Sequence, residues 1–133
     1  MGYYLQLYAI TLIGFLALDM VWLAVVARQF YRDRLGFLLA DQPNWYAAIS
    51  FYLLFIAGLL VFVVTPALQA DSWRKLLMLA SLFGLITYAT YDLTNHATVR
   101  NWPWVVTLVD LTWGVVLSTA VSSIAFLAGR WLR

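Results

Sequence analysis

Four long apolar runs, each able to reach across a lipid bilayer, set the terms on which this chain can fold. A helix needs about 20 mostly apolar residues to cross the hydrocarbon layer. The first run extends from Tyr4 to Ala27 with Asp19 as its single charge. The second, Trp45 to Val64, holds no ionisable residue except Tyr46 and Tyr52. The third covers Trp73 to His96, and the fourth Pro103 to Ala128. Segments apolar on every side belong in lipid. Only 11% of the 133 residues are charged, where a soluble protein carries roughly 25%. The expected fold is all-α, an integral membrane four-helix bundle in one domain with both termini on the same side.

The connections carry their own signals. Arg28 to Asn44 is long for a helical hairpin, which usually turns in about two to eight residues. Phe30, Tyr31, Leu35 and Phe37 make it too apolar for free coil. Residues 29–40 are expected to extend the first helix briefly or to lie in the headgroup zone, with Gly36 as a break point. Arg28, Arg32 and Arg34 then reach toward phosphates, and Arg100 faces the headgroups at the same level. Asn44, then Asp71 or Ser72, and Asn101 are expected N-caps, with Pro103 near the first position of the last helix. Thr65-Pro66 is expected to close the second helix. Trp45, Trp73, Trp102, Trp104 and Trp131 read as interfacial belt residues. Arg28, Arg32, Arg34 and Arg100 at one side balance Arg74, Lys75, Arg130 and Arg133 at the other, so basic residues leave orientation open.

Composition removes several function classes. With no cysteine there is no disulfide, thiol catalysis or zinc–thiolate site. One histidine cannot build a multi-histidine metal site. A net charge of +2 without a basic run predicts no nucleic-acid partner. The N-terminus lacks the basic stretch of a signal peptide, so the first run reads as a retained span. A multi-pass protein of a bacterial inner membrane is expected, in contact with lipids and assembled as a homo-oligomer.

Three aspartates break the apolar pattern. At about 1.5 Å per residue, Asp19 lies roughly 12 Å, Asp92 roughly 6 Å and Asp110 roughly 10 Å from the same membrane face. Three helices thus place a carboxylate in one leaflet. Tyr88, Asp92, Asn95 and His96 share a face of the third helix, and Gly84 continues it. Thr107, Asp110, Gly114, Ser118 and Val121 share a small, partly polar face of the fourth. Gly114-x-x-x-Ser118 permits close helix approach, so these two faces are expected to pack together. Asp19 and Trp22 would complete a cavity with Trp113, either tryptophan able to donate its indole N–H to a carboxylate. Asp19-x-x-Trp22 and Asp110-x-x-Trp113 repeat one spacing, a hint of internal duplication. A charged Asp at a helix centre costs about 2.5–3.5 kcal/mol, so three demand pairing, protonation or hydration. Each taken singly can also be an ordinary interhelical hydrogen-bond partner, and His96 an ordinary helix-end residue at the rim.

The set Asp19-x-x-Trp22-Leu23, Phe30-Tyr31, Tyr88-Ala-Thr-Tyr91-Asp92-Leu-Thr-Asn95, Trp102-Pro103 and Val109-Asp110-Leu-Thr-Trp113-Gly114 resembles the bacterial membrane family called domain of unknown function 2177. The resemblance implies a small four-helix membrane protein and no particular activity.

Three functions fit these residues. Proton- or cation-coupled movement of a small solute suits a carboxylate cluster at one mouth. A membrane enzyme acting on a lipid or isoprenoid head group could use Asp19, Asp92 and Asp110 to hold a divalent metal, with Asn95 or His96 assisting, or a protonated Asp as general acid. No cofactor is otherwise indicated. The third is a lipid-binding or scaffold subunit. Transport stands slightly ahead.

Overall fold

The computed structural model describes residues 2–133. In chain order the helices are α1 (Gly2–Val26), α2 (Arg28–Leu35), α3 (Trp45–Ala70), α4 (Trp73–Thr98) and α5 (Trp104–Leu132). All but α2 are long and apolar enough to span a membrane. The expected all-helical membrane bundle is therefore observed, with no strand among the described residues. Its outer surface is apolar: Leu54, Val61, Met78 and Leu127 are all exposed. The hydroxyls on that surface are self-contained. Thr90 and Thr98 of α4, and Thr112 of α5, each donate to the carbonyl four residues earlier, at 2.7, 2.9 and 2.8 Å. These three hydroxyl hydrogens are then not left unpaired on the apolar surface.

The core is built around α5. Leu117, Val121, Ala125 and Phe126 meet Leu7 and Phe15 of α1, Ile56, Leu59 and Val63 of α3, and Leu76 and Ala80 of α4. The α4–α5 pair is the tightest. A Cβ added at Gly84 would overlap the Gly114 carbonyl oxygen and meet Ser118 Oγ at 2.7 Å. The small-residue face read from the sequence does bring these two backbones together.

Tyr3 Oη donates to the Gly129 carbonyl at 3.0 Å, and Arg133 Nη2 to that of Leu68 at 2.8 Å. The start of α1 and the ends of α3 and α5 therefore share one end of the bundle. At the other end α2 folds onto the α4–α5 hairpin, where Leu35, Trp102 and Val106 form a second core with Phe30, Tyr31 and Val99.

Three local expectations are corrected. Thr65-Pro66 does not close α3, which continues to Ala70. Leu60–Val64 forms a π-helical turn, and Thr65 N–H bonds to the Leu60 carbonyl five residues back. The wider turn upstream accommodates a ring that has no N–H to give. Asn101 does not cap α5. It adopts a left-handed conformation (φ 61°) that reverses the chain, which asparagine tolerates better than most residues, and Pro103 takes the cap position. Trp102 is not a belt residue: it is buried, and its indole donates to Thr107 Oγ1 at 3.0 Å. Ser72 and Asn44 cap as expected, accepting from Lys75 N at 3.1 Å and Ala47 N at 3.2 Å.

Candidate functional site

The site begins where α1 loses regular α geometry. Trp22–Val26 is a π-helical turn closed by Ala27 N–H donating to the Trp22 carbonyl at 2.7 Å. Such turns insert one residue into a helix and re-aim the side chains that follow. Just before it, Asp19 is buried and accepts from Trp113 Nε1 at 3.2 Å. Trp22 stacks flat on Trp113, with centroids 4.4 Å apart and planes 8° from parallel. Trp22 Nε1 donates to Tyr31 Oη at 3.1 Å, and Tyr31 donates onward to Asp110 Oδ1. The two Asp-x-x-Trp segments thus cross-connect: Trp113 serves the acid of the other segment directly, and Trp22 does so through a tyrosine. Burial first, then the bond to Asp110, pushes the Tyr31 hydroxyl above its ordinary range, so it remains a donor at neutral pH.

The α4–α5 pairing fixes the third acid. Tyr88 lies against Gly114, and one turn beyond Asp92 the Nδ1 of His96 meets Thr107 Oγ1 at 3.1 Å. The helices run antiparallel, so between these two contacts Asp92 stands opposite Asp110. Asp92 is fully buried, and neither of its oxygens has a hydrogen-bond partner among the described residues.

A cavity of about 780 Å³ opens beside this network. Asp19, Trp22, Tyr88, Asp110 and Trp113 line it, as do Arg28, Arg32 and Tyr31 from α2. Most of the remaining wall is aromatic or aliphatic: Leu23, Leu35, Trp45, Phe51, Tyr52 and Tyr91. Of the residues picked out in the sequence, Asp92, Asn95 and His96 do not line it, and neither do Arg34 and Arg100. His96 is spent on Thr107, and Arg34 lies over the Phe30 ring at 5.9 Å. Among the described residues no three His, Asp or Glu side chains gather as a metal site would require.

Comparison with known proteins now bears on the chain. Residues 4–127 match the family described as "Predicted membrane protein (DUF2177)". The chain belongs to this family. No curated protein and no solved structure matches it. In this DUF2177 chain the residue that sequence reasoning passed over is Tyr31, set in a segment whose arginines drew attention to headgroups. A signal was present: Ala27, Tyr31 and Leu35 recur at every fourth position, and Ala27 and Leu35 are both buried. Trp45, read as a belt residue, lines the DUF2177 cavity, and so does Tyr52.

Proposed function

We propose that this protein binds an amphiphile with a phosphomonoester head group, a phosphatidic acid or an isoprenyl phosphate, that enters the cavity sideways from one leaflet. The observation that carries the reading is the cavity itself, apolar in its walls with two guanidinium groups at its mouth. Its volume falls within the roughly 300–1,000 Å³ usual for small-molecule sites. The walls suit an acyl or prenyl chain. Arg28 and Arg32 are exposed, and neither makes an ion pair among the described residues. Both are therefore open to a phosphate, which guanidinium groups recognise well. On the floor, Asp19 and Asp110 each hold one donor and keep lone pairs for a hydroxyl of the ligand. Chemistry at that head group, with Asp110 as acid or base, is the enzymatic form of the same reading.

Cation-coupled movement of a solute is the second reading, favoured by three buried acids in one half of the bundle. Among the described residues, the fully buried polar side chains of the other half are the hydroxyls of Thr11, Ser118 and Ser122, among tightly packed Phe15, Leu59 and Phe126, a poor route for a charged solute. The binding reading is tested with the protein in phosphatidylcholine bilayers containing a minor fraction of phosphatidic acid. Native mass spectrometry should find phosphatidic acid retained preferentially, and Arg28→Gln with Arg32→Gln should remove the preference. Equal retention of both lipids by the unaltered protein would sink it.

A further inference from the structure

Asp92 is the buried group the cavity does not use. Its neighbours are fixed by the helix pairing: Tyr88 against Gly114 on one side, His96 on Thr107 on the other, and Asp110 between them from α5. Asp110 is engaged on its far side by Tyr31, and it lines the cavity that Asp92 does not reach. Asp92 thus has an acceptor opposite it where a buried carboxylate needs a donor, and both of its oxygens are unpartnered. From α1 the nearest acid is Asp19, held by Trp113; from α2 the facing group is Tyr31, itself a donor to Asp110. On α4 itself the titratable neighbours are Tyr88, Tyr91 and His96, the last bonded away to Thr107. No Lys or Arg pairs with any of the three buried acids among the described residues.

Two facing carboxylates in a medium of low dielectric constant, with no cation between them, cannot both be charged. A single proton resolves the conflict, because it turns one acceptor into the donor the other lacks. We infer that Asp92 and Asp110 form a proton-binding site in which one proton is shared between the two carboxyl groups, Asp92 storing it and Asp110 presenting it to the cavity. Transfer moves the proton from an Asp92 oxygen to an Asp110 oxygen and leaves Asp92 as the carboxylate, with no other bond made or broken. Asp92 lies outside the cavity, and the inference holds with or without a lipid bound there.

Infrared spectroscopy of the protein in phosphatidylcholine bilayers at neutral pH reads the proton directly. The unaltered protein should show a protonated-carboxyl C=O band that shifts in heavy water. Asp92→Asn should abolish the band, because Asp110 alone faces an open cavity and the Tyr31 donor. Asp110→Asn should keep it at an altered frequency, and Asp19→Asn should leave it unchanged. Absence of the band from the unaltered protein overturns the inference, as does its survival in Asp92→Asn or its loss in Asp19→Asn. If Asp92→Asn fails to insert, retention of the band in both other variants still assigns it to Asp92 by elimination.

Discussion

Tyr31 accepts from Trp22 and donates to Asp110, so one hydroxyl satisfies the half-buried Trp22 indole and the buried Asp110 carboxylate. Tyr31→Phe should cost about 1–3 kcal/mol, the usual range for leaving a buried polar group unpaired, and detergent unfolding measures it. The pH dependence has a definite sign. Burial and the Asp110 bond raise the Tyr31 ionisation above that of an unfolded tyrosine, so its contribution is complete below about pH 10. Above that value only the unfolded chain releases the proton, and stability declines. Tyr31→Phe should flatten this alkaline decline; an unchanged slope would refute the assignment. At this scale the sequence was most readable where a residue contradicted its surroundings. Asp19, Asp92 and Asp110 stand out because a charge in an apolar run needs a reason. Tyr31 sits among arginines and an aspartate, where a tyrosine contradicts nothing.

At the scale of elements, Gly84 sets the separation of α4 and α5. Gly84→Ala would drive a methyl group into the Gly114 carbonyl and should destabilise by about 1–3 kcal/mol as an overpacking change. Gly14→Ala meets nothing nearer than Ile124 Cδ1 at 3.5 Å and should be close to neutral in the same measurement. Equal effects would show that the glycine does not govern the approach. The four spans were legible because bilayer thickness imposes a length on apolar runs. The close approach of α4 and α5 was legible because small residues recur at helical spacing. The π turns were not, because a hydrogen bond reaching five residues back leaves no mark on composition. Pro66 therefore looked like an ending when it marks the exit of such a turn.

Across the whole molecule, the buried carboxylates Asp19, Asp92 and Asp110 collect toward the end where α2 folds over the α4–α5 hairpin, while the buried polar side chains of the opposite half, among the described residues, are the hydroxyls of Thr11, Ser118 and Ser122. Depth counting anticipated this asymmetry, since rise per residue converts position into height. It could not anticipate which acids face the cavity, because that depends on rotation about each helix axis. The π turn at Trp22–Val26 makes rotation a matter of residue number. One inserted residue advances every later side chain by about 100°. Deleting a single residue from Leu23–Val26 should restore a regular helix and swing α2 out of phase, carrying Tyr31 away from Asp110. A short bifunctional thiol reagent that joins a Tyr31→Cys, Asp110→Cys pair in the full-length chain should then fail to join it in the shortened one. Substitutions within those four residues should matter far less than their count, so this stretch works as a phase setting: its length, more than its chemistry, decides whether Tyr31 of α2 stays in register with Asp110 of α5.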